Sequence, residues 1–199
     1  MNKKIAIVGA GGHGKVVGEI ALLNHFDDIN FFDDKKNEIE GFPFIISGNL
    51  NDLSDHLNEY DAFFVAVGEN KLRSTITEWL KKKKTCIVTL VHPRATISQF
   101  CSIGIGICIM ANAVVNSGAQ VKDGVIINTS ASVDHDCLIE DFAHISPNCS
   151  LSGGVRIGKF SHLGSGTSAH PGIRVGNNVK TAVGSKIFKD VLDNTVYKN

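Results

Sequence analysis

One histidine of this chain lies between two carboxylates, in the run Ser132-Val133-Asp134-His135-Asp136-Cys137. An imidazole has an unperturbed pKa of about 6.5, so it can exchange a proton near neutral pH. A carboxylate beside the ring can fix its orientation and stabilise its charged form. The run therefore favours general-base chemistry at His135, and a solvated surface histidine is the alternative interpretation.

A glycine-rich run near the amino terminus has the pattern of a phosphate-binding loop. Gly9-Ala10-Gly11-Gly12-His13-Gly14-Lys15 matches G-x-G-x-x-G, and Asp33 and Asp34 follow about 20 residues later. Glycines let backbone N–H groups at a helix N-terminus approach a phosphate. Val16 stands where a P-loop has Ser or Thr, which weighs against that class. The run predicts a phosphate or diphosphate ligand, with His13 either contacting the ligand or making local hydrogen bonds.

A six-residue period dominates the second half of the chain. Aliphatic residues recur at every sixth position, and a second series of mostly small residues follows four positions after each. Neither a helix nor a single strand produces this period, so it marks an internal repeat. The aliphatic series is Ile97, Ile103, Ile109, Val115, Val121, Ile127, Val133, Ile139, Ile145, Leu151, Ile157 and Leu163, continuing through Ala169 to Val175. The second series is Cys101, Ile107, Ala113, Ala119, Val125, Ala131, Cys137, Ala143, Cys149, Val155, Ser161 and Thr167.

The repeat predicts a parallel β-helix whose coils each contain three hexapeptides, or 18 residues. Each hexapeptide supplies one flat face and one corner, and coils stack at a strand spacing of about 4.8 Å. Residues 95 to about 189 would supply roughly five coils. Left-handed winding is taken from known hexapeptide-repeat proteins, and a right-handed β-helix, with longer and less regular coils, is the alternative.

This register separates core residues from surface residues. Cys101, Cys137 and Cys149 occupy small inward positions, so core packing is favoured over nucleophilic or ligand roles. His135 lies outside the prism, and Gly153 lies one coil further on.

Two questions about the histidines follow from the register. Adjacent strand residues point to opposite sides, so Asp136 reaches the His135 ring only at a bent corner, and Asp134 is the substitute. His144 and His162 are separated by one coil and can stack on one face. Zinc hydratases of this fold need a short histidine spacing that is absent from residues 93–199, so no metal is expected.

The first half of the chain alternates strand and helix signals, which predicts an α/β domain with a parallel sheet. It has room for only half of a dinucleotide-binding fold, so a nucleotide with one sugar is favoured over NAD. Residues 1–92 are assigned to this half-Rossmann-like domain and residues 93–199 to the β-helix. The predicted strands are Ile5–Val8, Ile29–Phe32, Ala62–Val67 and Cys86–Leu90, and the predicted helices are Lys15–Asn24 and Lys71–Lys83.

Composition excludes several classes of partner. Lysines and arginines equal aspartates and glutamates at 20 each, which gives no support for nucleic acid or an anionic membrane. No apolar run approaches a membrane span, and no secretory signal is present. Five cysteines without a disulfide pattern indicate a reduced, cytoplasmic protein.

The combination of motifs resembles one family. It comprises the sialic acid O-acetyltransferases and the nucleotide-activated 4-amino-sugar N-acetyltransferases of bacterial glycan synthesis, of which the bacillosamine-pathway enzyme is the best-known member. We refer to it as the amino-sugar acetyltransferase family. The matching segments are Gly9-Ala10-Gly11-Gly12-His13-Gly14-Lys15, Asp33-Asp34, Val67-Gly68-Glu69-Asn70, Asn128-Thr129-Ser130 and His135-Asp136-Cys137.

The resemblance implies an acetyl-CoA-dependent N-acetyltransferase, active as a homotrimer with its active sites between adjacent prisms. It implies His135 as general base with Asp136 as its acidic neighbour, and Gly153 as a backbone N–H facing the thioester carbonyl. The implied nucleotide-sugar residues are Gly9, Gly11, His13, Gly14, Asp33, Asp34, Gly68 and Asn70. The implied coenzyme A residues are Asn128, His144, Gly153, Val183 and Lys189.

Two other functions stay open at this point. The first is acetylation of a hydroxyl, as on sialic acid, by the same fold. The second is a non-catalytic nucleotide-sugar-binding trimer. The family usually has a Gly-x-Pro-Ala-Lys-like segment after the last coil that helps to hold coenzyme A, whereas this sequence shows Val196-Tyr197-Lys198-Asn199 there. Ala182-Val183-Gly184-Ser185 also replaces a more glycine-rich stretch.

Overall fold

The computed structural model describes residues 3–34 and 42–198. Contacts between Cα atoms divide the chain into two compact units, Met1–Leu90 and Val91–Asn199. We call them the amino-terminal unit and the β-helix unit. None of the helices in the described ranges is long and apolar enough to span a bilayer.

The amino-terminal unit contains a four-stranded parallel sheet of order β3-β2-β1-β4. This order is one half of a doubly wound nucleotide-binding sheet, as predicted. The strands are β1 (Lys4–Val8), β2 (Asp28–Phe32), β3 (Ile45–Gly48) and β4 (Ala62–Val65). The helices are α1 (Gly12–Leu23), α2 (Leu50–Asp55) and α3 (Asn70–Lys82), with a 3-10 turn at Leu57–Glu59.

The predicted strand Cys86–Leu90 is wrong. Only an isolated parallel bridge joins Ile87 to Phe63, and Leu90 begins the first two-residue strand of the β-helix sheets. β3 and α2 were not predicted. α2 is fixed by a capping box at Asn49, whose side chain accepts from the Asn51 and Asp52 N–H groups. This local signal lies in a short segment with little apolar periodicity, which explains why the pattern missed it.

The β-helix unit consists of three parallel sheets, and the predicted left-handed β-helix is confirmed. Strands pair with the strand 18 residues further on, as Val133 does with Leu151. Face 1 contains Thr96–Ile97, Val114–Val115, Ser132–Val133, Ser150–Leu151, Ser168–Ala169 and Lys186–Ile187. Face 2 contains Ser102–Ile103, Gln120–Val121, Leu138–Ile139, Arg156–Ile157 and Arg174–Val175. Face 3 contains Leu90–Val91, Cys108–Ile109, Ile126–Ile127, His144–Ile145, His162–Leu163, Lys180–Thr181 and Val196–Tyr197.

Both predicted inward series form the core of the prism. Val133 and Ile139 from the aliphatic series and Ala131 from the small series are fully buried. Cys137 and Cys149 belong to the same core, and Cys101 packs against it. Their assignment to core packing is therefore confirmed, because these thiols replace other small apolar groups at crowded positions.

The corners of the prism also repeat every six residues. Every sixth residue from Gly106 to Gly184 has a positive φ, and most of these residues are glycine or asparagine. Such residues adopt the left-handed conformation at the lowest steric cost. Asp136, with φ of 58°, is one of the exceptions, and its position determines the geometry of the candidate site.

The coils extend beyond the end predicted near residue 189, which corrects that boundary. The last coil is two residues shorter than the others, because Val175 pairs with Val191 rather than with a residue 18 positions on. The Asp190 carboxylate accepts from the Arg174 N–H at 2.8 Å, and Asp193 accepts from the Asn177 N–H at 2.8 Å. These side chains supplement the backbone pairing of the shortened coil, which continues to Val196–Tyr197.

Candidate active site

His135 lies at the corner between faces 1 and 2, with Asp136 in the left-handed position beside it. The His135 Nδ1 is 2.9 Å from Asp136 Oδ2. A carboxylate only accepts, so Nδ1 carries the hydrogen and donates it, and Nε2 keeps its lone pair. The positive φ lets two adjacent side chains converge, which a straight strand would forbid. Both side chains are exposed, by 62% and 73%.

Asp134 supports the corner through the backbone instead of the ring. Its Oδ1 accepts from the His135 N–H at 2.8 Å and from Asn116 Nδ2, one coil away, also at 2.8 Å. These two hydrogen bonds hold the pKa of Asp134 below its ordinary value, and the bond from Asn116 has the larger effect. Asp134 therefore remains charged and fixes the chain direction at His135, while Asp136 contacts the imidazole.

Gly153 stacks directly on the His135 ring, one coil further along the prism. A Cβ added at Gly153 would collide with His135 Nε2 and Cε1, so only glycine leaves room for the ring. Within residues 3–34 and 42–198, the Gly153 N–H donates to no acceptor. A proton acceptor and an unused backbone donor thus lie on neighbouring coils, which stack at about 4.8 Å.

Electrostatics at the corner adjust the basicity of His135. The hydrogen bond to Asp136, followed by the charge of Asp134, raises the pKa of His135 above its usual value. Both carboxylates favour the imidazolium, because an opposite charge nearby stabilises the charged form. Loss of the Asp136 charge should therefore lower this pKa.

Asp136→Asn should shift the pH dependence of catalysis. Asparagine is well tolerated at positive φ, so the corner should keep its shape. If His135 is a general base, it works only when neutral, so activity would rise with pH through the His135 pKa. Because that pKa falls in the variant, the rising limb of kcat should move to lower pH, with a plateau lowered about tenfold by the lost orienting bond. A pH profile of kcat tests this, and an unmoved limb would show that Asp136 does not act on His135.

His144 and Asn128 form a second polar pair, on face 3. The Asn128 Oδ1 accepts from the Thr129 N–H at 2.8 Å, which fixes the orientation of the amide. Its Nδ2 therefore donates to His144 Nε2 across 3.1 Å. Nε2 can accept only when it carries no hydrogen, so this hydrogen bond requires the tautomer with the hydrogen on Nδ1. In this pairing His144 Nε2 already accepts a hydrogen bond, which separates it chemically from His135.

His162 continues this arrangement along face 3. Its ring stacks on His144 with centroids 4.5 Å apart, and its Nε2 lies 3.1 Å from Ser146 Oγ. The predicted stacking of the two histidines is confirmed.

A cavity of about 410 Å³ lies at the carboxyl ends of β1, β2 and β4. Ligands of open α/β sheets bind at this edge. Six residues predicted to bind the nucleotide sugar line the cavity: Gly9, Gly11, His13, Asp33, Asp34 and Gly68. Two predicted residues are absent from the lining. Gly14 packs against the Gly9 carbonyl, and Asn70 is buried, where it accepts a hydrogen bond from Arg73.

The two aspartates support the cavity by binding backbone groups. Asp33 Oδ2 accepts from the Ala10 N–H at 2.8 Å, which fixes the glycine-rich loop. Asp34 Oδ1 accepts from the Leu50 N–H at 3.0 Å, at the start of α2.

His13 is held neutral within the same wall. Its Nε2 is buried and has no hydrogen-bond partner among the residues that the structure describes. Burial and then the Arg73 charge lower the pKa of His13 to about 4. A neutral imidazole offers a hydrogen-bonding atom without a charge, so the cavity presents His13 as a polar group rather than as a cation.

The glycines of the loop are required for different reasons. Gly9 has φ of 105°, and a Cβ there would meet the Ala66 carbonyl oxygen at 2.8 Å. A Cβ at Gly14 would collide with the Gly9 carbonyl. A Cβ at Gly11 would have no neighbour within 4 Å and would project into open space. Folding therefore demands Gly9 and Gly14, whereas a requirement for Gly11 would come from a ligand.

Gly14→Ala and Gly11→Ala should separate these two requirements. We expect Gly14→Ala to lower the free energy of unfolding by about 2 kcal/mol or more, since backbone must move to admit the methyl group. Gly11→Ala should cost under about 1 kcal/mol, as expected for a helix N-cap. Urea unfolding measures both, and equal losses would contradict the distinction. Nucleoside diphosphate affinity should fall in Gly11→Ala despite its intact fold.

Comparisons with known proteins agree with this geometry. The sequence profile of the PglD N-terminal domain matches residues 4–80. The chain is 38% identical over 114 residues to UDP-N-acetylbacillosamine N-acetyltransferase of Bacillus subtilis, an alignment that spans 55% of this chain and 52% of that protein. The chain therefore spans about half the length of this curated relative.

Solved structures match over nearly the whole chain. The acetyltransferase domain of PglB from Neisseria gonorrhoeae is 42% identical with a TM-score of 0.94, and the match covers 100% of this chain and 97% of that one. The chain belongs to the amino-sugar acetyltransferase family. PerB from Caulobacter crescentus, solved with CoA and GDP-perosamine, is 29% identical with a TM-score of 0.93, covering 98% of this chain and 94% of its own. The PglB domain has also been solved with acetyl coenzyme A.

The coenzyme A residues expected from the amino-sugar acetyltransferase family lie in separate places on one prism. Asn128 and His144 pair on face 3, and Val183 projects from the corner between faces 3 and 1 with 79% of its surface exposed. Gly153 and the exposed Lys189 lie on the corner between faces 1 and 2. The structure therefore does not bring all five together within one chain.

Two residues outside the predicted set have defined roles here. Asn116 donates to Asp134, and the buried Arg73 donates to the carbonyls of Val67 and Gly68, which line the cavity. The sequence did contain a signal for Arg73, because it shares a helical face with the buried residues Asn70, Ile76, Thr77 and Leu80. Asn116 could be linked to Asp134 only through the 18-residue coil, on which they occupy equivalent positions.

Proposed function

We propose that this chain transfers the acetyl group of acetyl-CoA to the amine of a nucleotide-activated 4-amino-sugar, with His135 as general base. The observation that carries the proposal is the His135–Asp136 pair stacked over Gly153. The pair supplies an imidazole whose Nε2 lone pair is available, and the adjacent coil supplies an unused N–H. Membership of the amino-sugar acetyltransferase family supports the same chemistry.

The reaction needs only these groups and two substrates. The amine nitrogen attacks the thioester carbonyl carbon, and His135 Nε2 takes the proton that the nitrogen loses. Negative charge develops on the carbonyl oxygen, where the Gly153 N–H would stabilise it. The C–S bond then breaks, and the proton held by His135 neutralises the leaving thiolate. No enzyme nucleophile is required, and the buried Cys137 and Cys149 stay in the core.

The substrate assignment rests on the amino-terminal unit. Its sheet is half of a dinucleotide-binding fold, and the cavity of about 410 Å³ suits a nucleotide with one sugar. Residues 1–92 would bind the nucleotide sugar, and residues 93–199 would bind acetyl-CoA and carry out the transfer. We place the reaction in the cytoplasm, where the five free thiols would stay reduced.

We further propose a homotrimer with its active sites between neighbouring prisms. The residues expected to hold coenzyme A lie on two different corners and one face, so a groove between two copies could unite them. Analytical ultracentrifugation tests this directly, and a monomer that is fully active at low concentration would contradict it.

The activity test follows thiol release from acetyl-CoA in the presence of candidate acceptors. UDP-, dTDP- and GDP-linked 4-amino-sugars are compared with sialic acid and with the corresponding 4-hydroxy sugars. Release with an amino-sugar supports the proposal, and release only with sialic acid supports O-acetylation instead. Binding of a nucleotide sugar without any release supports a non-catalytic binding trimer.

A further inference from the structure

Arg73 is a buried arginine that donates hydrogen bonds to the Val67–Asn70 segment, part of which lines the cavity of the amino-terminal unit. It lies on α3 and is only 1% exposed. Its Nη1 donates to the Val67 carbonyl at 3.0 Å and to the Gly68 carbonyl at 3.2 Å, and its Nη2 donates to Asn70 Oδ1 at 2.9 Å. Burying a guanidinium costs free energy unless its hydrogen bonds are satisfied. An arginine buried beside a cavity therefore suggests a functional role for those hydrogen bonds.

The two carbonyl contacts determine the direction of the peptide that lines the cavity. In a planar trans peptide the C=O and N–H point in opposite directions. Since the Val67 carbonyl points to Arg73, the Gly68 N–H is turned away from the guanidinium. Gly68 lines the cavity, and within residues 3–34 and 42–198 its N–H donates to no acceptor.

The amino terminus of α1 forms a second part of the cavity lining. Gly11, Gly12 and His13 line the cavity there, and the helix start has no side-chain cap. The first N–H groups of a helix attract anions. An anion in the cavity would thus have both the helix N–H groups and the Gly68 N–H in the lining around it.

We propose that Arg73 is the positioning residue of this cavity, holding the Val67–Gly68 loop so that the Gly68 N–H binds a phosphate of a nucleoside diphosphate. Its buried charge also favours the diphosphate over the uncharged nucleoside. The influence of this charge within the cavity is visible at His13, whose pKa it helps to lower. The inference rests on the proposed nucleotide-sugar function. It adds to the binding site a residue that supports the loop without contacting the ligand.

The test compares a charged and an uncharged ligand in matched variants. UDP, GDP and dTDP are first titrated into the wild type, and the best binder and its nucleoside are then used with Arg73→Met, Arg73→Lys and Lys71→Met. Lys71 is exposed on the same helix, so its variant controls for loss of one positive charge. We expect Arg73→Met to weaken the diphosphate about 10- to 100-fold and the nucleoside less than about twofold. Arg73→Lys should be intermediate, because the charge stays while the forked hydrogen bonds are lost.

Each outcome decides a separate question. Unchanged diphosphate affinity in Arg73→Met, or equal losses for both ligands, would overturn the role of Arg73. A wild type that binds no nucleoside diphosphate would instead contradict the proposed function. If Arg73→Met does not fold, the amide signal of Gly68 in the wild type provides the answer. That signal should shift with the diphosphate and not with the nucleoside, and an unshifted signal would overturn the proposal.

Discussion

Replacing His135 with alanine is expected to lower kcat for acetyl transfer by a factor of about 10²–10⁴, the usual contribution of a general base. The KM values for both substrates should change little, because the ring acts on a proton that moves only during the reaction. The exposed position of His135 predicts no loss of folding stability. Steady-state kinetics of thiol release, with urea unfolding as a check on the fold, measure both quantities.

His56 offers a matched control for this variant. It is also an exposed histidine whose Nδ1 contacts a carboxylate, Glu59 Oε1, at 2.7 Å. His56→Ala should therefore remove a chemically similar pair and leave kcat unchanged. Equal activity of His135→Ala and the wild type would remove His135 from the mechanism and return it to the class of solvated surface histidines.

Gly153→Ala should reduce kcat by about 10²-fold, because the added methyl group collides with the His135 ring and displaces the base. The backbone itself admits alanine at this position, since Gly153 is not among the residues with positive φ. The expected loss is therefore specific to the geometry of the site. Urea unfolding should show a change within about 1 kcal/mol, because the ring can swing into solvent.

A double-mutant cycle isolates this effect. If the methyl group acts by displacing the ring, then Gly153→Ala should cost little further activity in a His135→Ala background. Additive losses would indicate that Gly153 acts separately, through the N–H that would meet the developing oxyanion. Unchanged activity of the single variant would show that the ring does not need its position over Gly153.

The most predictable part of this protein is the prism. The six-residue series fixed which residues face inward, because a coil of three hexapeptides leaves space for one aliphatic and one small residue at each step. The same series placed the three cysteines in the core and His135 outside. A glycine and asparagine series at the corners was also present in the sequence, and it would have predicted the left-handed conformation of residue 136.

The amino-terminal unit was less predictable. Glycine spacing pointed to the loop that lines the cavity, yet it could not distinguish Gly14, which packs against the Gly9 carbonyl, from Gly11, which faces open space. Asn70 was assigned to the ligand because it belongs to a segment that resembles the family, whereas in the structure it accepts a hydrogen bond from the buried Arg73. Local pattern does not report which neighbour fills the space beside a residue, since that neighbour comes from a distant part of the chain.

The sequence by itself determined the fold class of both halves, the register of the coils and the identity of the candidate base. Local periodicity is sufficient for these features, because each repeat makes the same contacts with the next. Only the tertiary structure decided that Asp136 binds the His135 ring while Asp134 holds its backbone. It also decided that Gly153 lies against that ring and that Arg73 holds the wall of the cavity. These contacts depend on corner angles and on side chains from different coils or elements, which no single stretch of sequence contains.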